Sequence, residues 1–131
     1  MSTTILIVDD NPVNLKLASV VLEMDGYTVE QAEDAEHAQE LLKRMTPDLI
    51  LMDIALPGMD GLTFTRKLKS DEKLKHIPII ALTAFAMKGD EQKALDAGCN
   101  GYIIKPIDTR KLSQMAAEYL RQANDERKNN P

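Results

Sequence analysis

The sequence predicts an α/β fold, a doubly wound parallel sheet of five strands covered on both faces by five helices. Three observations predict it. Short aliphatic runs alternate with helical patterns from one end of the chain to the other. The runs are apolar throughout instead of alternating polar and apolar, as expected of strands covered on both faces. Helix start and stop signals fall between successive runs. A β-α unit repeated five times implies right-handed crossovers that send helices to both sides of the sheet.

The elements follow in order. The first run, Ile5 to Val8, leads into Asp9 and Asp10; Asn11 and Pro12 then make an N-cap and first-turn pair, and Gly26 closes that helix. The second run, Tyr27 to Glu30, is the weakest, and Asp34 opens the second helix. The third, Leu49 to Met52, ends on Asp53 and the loop Ile54-Ala55-Leu56-Pro57-Gly58, after which Asp60 opens the third helix. The fourth, Ile77 to Leu82, ends on Thr83, and Gly98 ends the helix that follows. The fifth, Tyr102 to Ile104, ends on Lys105-Pro106, and Asp108 caps a last helix with a buried stripe of Leu112, Met115, Ala116, Tyr119 and Leu120. From Asn124 the tail NDERKNNP is polar and is expected to fray. In the first helix, Val13, Leu15, Leu17, Ala18, Val20, Val21, Leu22 and Met24 exceed the stripe of roughly 100° that a one-sided helix needs. Two readings stay open there: cover by neighbouring helices, or a partly exposed apolar docking surface.

Composition narrows the function classes. At 131 residues, 44% hydrophobic, with two Phe, three Tyr and no Trp, the chain fits one domain with an aliphatic core. No apolar run approaches the roughly 20 residues that span a bilayer, and the MSTT start lacks the basic region of a signal peptide. The lone Cys99 cannot form an internal disulfide, which fits a reducing cytoplasm. A formal net charge of -5 without a block of Lys and Arg argues against direct nucleic-acid binding.

The chemistry gathers where the strands end. An open parallel sheet binds ligands at the carboxyl ends of its strands, and there the sequence sets Asp9, Asp10, Asp53, Thr83 and Lys105. Each has an ordinary reading: Asp10 as a cap, Asp53 as a strand leaving the core, Thr83 as a strand residue, Lys105-Pro106 as a turn. Asn11 is better placed than Asp10 to cap, and the ordinary readings hold far less well together than singly. Two carboxylates about 4 Å apart repel by roughly 4 kcal/mol at an effective dielectric of 20. A hard divalent cation removes that cost, and three Asp without His or Cys suit Mg²⁺ better than Zn²⁺. With the ion present, one carboxylate can attack a phosphoryl group while Thr83 and Lys105 engage the transferred oxygens. Asp53, alone on its strand, is the natural nucleophile, and Asp9 with Asp10 the natural metal clamp. His37 and His76 lack partners at ligand spacing and are expected at the surface; Met59 and Met87 are expected to pack.

The stretches IVDDN, DLILMDIALPGMDG, IPIIALTAFAMKGDEQKALDAGCNGYI and KPID, spread from about Ile5 to Leu120, resemble the receiver domains of bacterial response regulators. ALTAFAMKGD and GCNGYIIKPI are similar to single-domain regulators of the chemotaxis or cell-division type and to receivers attached to hybrid sensor kinases. The resemblance implies a flavodoxin-like sheet of order 2-1-3-4-5, with the receiver at residues 1–123 and a polar tail at 124–131. It implies that Asp53 accepts a phosphoryl group from phosphohistidine on a sensor kinase or phosphotransfer protein. Asp9 and Asp10 would hold Mg²⁺ with Asp53 and the backbone carbonyl of Ala55. Thr83 would swing toward the phosphoryl group, Lys105 would bridge to it across a cis Lys105-Pro106 bond, and Tyr102 would move inward with Thr83. Such a module catalyses only its own phosphorylation and dephosphorylation, and signals to a downstream effector through the face of helix four, strand five and helix five. Whether the chain is a whole regulator or a receiver from a hybrid kinase or a larger regulator stays open.

Ala55 and Phe85 are apolar where some relatives carry groups that orient hydrolytic water. Phe85 is therefore expected to shield the acyl phosphate. Phe85→Glu should shorten the phosphoryl half-life, and an equal or longer half-life would contradict the shielding role.

Two other classes compete. A haloacid-dehalogenase-type phosphohydrolase needs an acid or Thr two residues after its nucleophile, where this chain has Asn11 or Ala55. A flavin binder needs hydroxyls and amides after strand one, and Asp9 and Asp10 would repel the flavin phosphate.

Overall fold

The computed structural model of the protein describes residues 3–84 and 89–129. Its elements are β1 (Thr4–Val8), α1 (Pro12–Met24), β2 (Thr28–Ala32), α2 (Ala35–Leu42), β3 (Leu49–Asp53), α3 (Gly61–Lys69), β4 (Ile79–Thr83), α4 (Asp90–Ala97), β5 (Gly101–Ile104) and α5 (Thr109–Asn129). The five strands are parallel and lie in the order β2-β1-β3-β4-β5, as expected.

The unbroken apolar runs serve two cores at once, because successive strand residues point to opposite faces. Leu6, Val8, Ile50, Met52, Ile79 and Ala81 face one way and pack with Ala35 and Ala38 of α2, Phe64 and Leu68 of α3 and Ala94 of α4. Ile5, Ile7, Leu49, Leu51, Ile80 and Leu82 face the other, against Ala18 and Leu22 of α1 and Leu112 and Ala116 of α5. Side-chain caps start the helices at the expected residues. Asn11 accepts from the Val13 and Asn14 amides, Asp34 from His37, Asp60 from Thr63, and Asp108 from Arg110 and Lys111.

Three boundaries differ from expectation. Tyr27 donates its amide to the Leu22 carbonyl and so finishes α1; β2 is displaced toward Ala32, whose carbonyl accepts from Asp9. Pro78 has no N–H to donate, so β4 begins at Ile79, two residues after the apolar run starts. α5 continues as one helix to Asn129, past the point where the tail was expected to fray.

Neighbouring helices do not cover all of α1. Ala18 and Leu22 are buried, while Val13, Leu17, Val20 and Met24 stand open to solvent. His37 and His76 are exposed, and Met59 packs against a core. Phe85 and Met87 lie outside the described residues. Among the described residues no helix is long and apolar enough to cross a membrane.

Candidate functional site

All five strands run the same way, so their carboxyl ends share one edge of the sheet. The parallel register places β1 beside β3, with Val8 opposite Met52, so the next residue of each strand is an aspartate. Asp9, Asp10 and Asp53 consequently bring one carboxylate oxygen each to within 4.8 Å of one another. Asp9 and Asp53 are buried and Asp10 is exposed.

Backbone amides orient the two buried carboxylates. Asp9 Oδ1 accepts from the Asn11 amide at 2.9 Å, and Asp53 Oδ1 accepts from the Ala55 amide at 2.9 Å. Their other oxygens converge on Lys105, whose Nζ lies 3.1 Å from Asp53 Oδ2 and 3.2 Å from Asp9 Oδ2. Burial works against the Lys105 charge, but the hydrogen bond to Asp53 and the charges of Asp53 and Asp9 outweigh it and raise its pKa above the usual lysine value. The Lys105-Pro106 bond is cis. One lysine thus pairs with two carboxylates while a third, Asp10, lies within 4.8 Å of them, a local excess of negative charge.

This donor set fits a hard cation. All of its atoms are oxygens, and buried Asp9 Oδ2 depends on the Lys105 ammonium at 3.2 Å that Asp53 also shares, so one positive charge serves two buried carboxylates. Ala55 follows on the exposed β3-α3 loop, where its backbone is close to the cluster through its bond to Asp53.

Thr83 is buried at the end of β4, and its carbonyl accepts the Lys105 amide at 2.7 Å, which ties the ends of β4 and β5 together. Tyr102 stands opposite Ala81, two residues before Thr83, and so shares the face on which Thr83 lies. It is half-buried and packs beside the core under α4. Its hydroxyl bonds to Glu91 in the first turn of α4, and that bond, with desolvation and the Glu91 charge, raises the phenol pKa. The sequence reading named Tyr102 but missed Glu91, which lies eleven residues away on another element.

Gly61 was also missed. A Cβ at this position would overlap the Asp53 carbonyl oxygen and lie 2.7 Å from Ile54 Cα, while the Gly61 amide already donates to the Ile54 carbonyl. The start of α3 presses directly on the backbone that carries Asp53. A glycine at the first helical position is a poor helix former, and that mismatch was the available signal. Gly61→Ala is expected to cost about 1–3 kcal/mol by overpacking and to weaken Mg²⁺ binding, with urea unfolding and calorimetric titration as the checks.

The family model described as "Response regulator receiver domain" matches residues 5–117. The polar-differentiation response regulator DivK of Brucella ovis is 45% identical over 120 residues, 92% of this chain and 98% of that protein. The receiver domain of a sensor histidine kinase from Pseudomonas aeruginosa, solved with a magnesium ion coordinated in the active-site cleft, superposes with a TM-score of 0.83 at 38% identity, covering 92% of this chain and 98% of that one. A CheY-like receiver domain protein from Methanospirillum hungatei gives a TM-score of 0.88 at 31% identity, covering 96% and 99%.

Proposed function

The chain belongs to the response regulator receiver domain family of two-component signalling, and from that membership we propose that Asp53 is its phosphoacceptor and that Asp9 and Asp10 hold Mg²⁺ beside it. The clustering of three carboxylates, two of them sharing one lysine, carries this reading. Asp53 and the backbone carbonyl of Ala55 would contribute further oxygen ligands to that ion. Bound Mg²⁺ supplies positive charge that offsets the transferred phosphoryl oxygens.

The chain's own residues do the rest. The Ala55 amide fixes Asp53 Oδ1, which leaves Oδ2 as the attacking oxygen once Lys105 turns from it toward the incoming phosphoryl group. A new P–O bond forms to Asp53 as the P–N bond of a donor phosphohistidine breaks, and the imidazole leaves with a proton from solvent. Lys105 pairs with one phosphoryl oxygen and the Thr83 hydroxyl donates to another. Drawing Thr83 toward the phosphoryl group opens space on the face it shares with Tyr102, which leaves Glu91 and turns inward. The module is no enzyme toward other substrates and catalyses only its own phosphorylation and dephosphorylation. Its partners are a sensor histidine kinase or phosphotransfer protein upstream and an effector protein downstream, met on the face of α4, β5 and α5. The lone Cys99, buried and free, supports placement in the cytoplasm.

A histidine-phosphotransfer protein carrying labelled phosphoryl groups tests the assignment. Wild type should take up label that hydroxylamine releases, as an acyl phosphate requires, and Asp53→Asn should take up none. Label on Asp53→Asn at the wild-type rate would contradict it.

A further inference from the structure

The exposed apolar side chains of α1 form a line. Val13, Leu17, Val20 and Met24 are 71%, 39%, 47% and 82% exposed, at successive spacings of four, three and four residues. That is the d-a-d-a spacing of a helix that packs along another helix. At 3.6 residues per turn the four lie within about 60° of one another, opposite Ala18 and Leu22, which face the core. One edge of the line is charged: Lys16 and Glu23, both exposed, directly precede Leu17 and Met24 and so occupy successive g positions. The other edge, Asn14 and Val21, is uncharged and half-buried.

We propose that α1 pairs antiparallel with α1 of a second copy of this chain about a two-fold axis. In that register Val13 meets the partner's Met24, and Leu17 meets the partner's Val20. Antiparallel helices bring g positions together, so Lys16 lies beside the partner's Glu23, and the two-fold repeats the pair with the signs reversed. A parallel arrangement would set both charges against the uncharged e positions. The seam therefore complements itself in one orientation, as an isologous interface requires. It is narrow, below the roughly 800 Å² per partner of a standard specific interface, so the association is weak and reversible. It rests on α1 alone and holds whichever residue accepts a phosphoryl group.

Sedimentation equilibrium of the full chain from tens of micromolar to about 1 mM tests the pairing. Wild-type mass should rise from 14.6 kDa toward twice that value, and Val20→Asp should hold it at the monomer. Lys16→Glu and Glu23→Lys, at exposed positions that leave the fold intact by circular dichroism, should each weaken association at least about fivefold. An equimolar mixture of these two variants restores opposite charges at both contacts and should associate like wild type. Wild type that stays monomeric to about 1 mM, single variants that associate unchanged, or a mixture no tighter than its components would each overturn the proposal. A surface built for a different protein gives the first of these results.

Discussion

Replacing Asp9 and Asp10 together with asparagine is expected to weaken Mg²⁺ binding at least about 100-fold, because two anionic ligands are lost from a site that offers three. The same change should stabilise the metal-free fold. Carboxylates about 5 Å apart repel by roughly 3 kcal/mol at an effective dielectric of 20. Lys105 offsets part of this for Asp9 and Asp53, and solvent screens exposed Asp10. A net gain of about 1–2 kcal/mol remains when both charges go, since asparagine at position 9 keeps an acceptor for the Asn11 amide. Calorimetric titration with Mg²⁺ and urea unfolding in chelator measure the two effects. Unchanged affinity would show that the cluster is not the metal site. Lower stability in chelator would show that the three charges are not in conflict.

Lys105→Ala should act in the opposite direction. The lysine side chain is 17% exposed, and it is the cation that two almost fully buried carboxylates share. Removing one member of a buried pair strands its partners, at about 2–4 kcal/mol after allowance for the residual exposure. Unfolding in chelator should show this loss, and saturating Mg²⁺ should recover part of it by supplying charge at the same oxygens. An equal loss with and without Mg²⁺ would mean that Lys105 stabilises by packing and does not compensate the site's charge.

The fold was legible because its strands are short, buried and separated by capping residues that do what their types suggest: Asn11, Asp34, Asp60 and Asp108 each accept from the first turn they precede. Errors arose at the ends of elements. Tyr27 has a strand former's side chain, yet its amide belongs to the end of α1. The polar residues after Asn124 offered no stripe, and the helix nonetheless runs on to Asn129.

The candidate residues were legible for a topological reason: parallel strands deliver all their carboxyl ends to one edge, so reading only those ends finds Asp9, Asp53, Thr83 and Lys105. What they do to one another was not legible. That Lys105 spans both Asp9 and Asp53, that Tyr102 is tied to Glu91, and that Gly61 supports the Asp53 backbone all depend on approaches between distant segments. The width of the apolar surface of α1 was visible in the sequence, while its exposure required the packing of α5 and β2 to be known.

Incubation with a small acyl phosphate and Mg²⁺, followed by intact mass measurement, tests the central assignment most directly. Wild type should gain a single labile phosphoryl group, with no gain in chelator and none in Asp53→Asn. A wild type that gains nothing under these conditions, or an Asp53→Asn variant that gains as much as wild type, would contradict Asp53 as the phosphoacceptor.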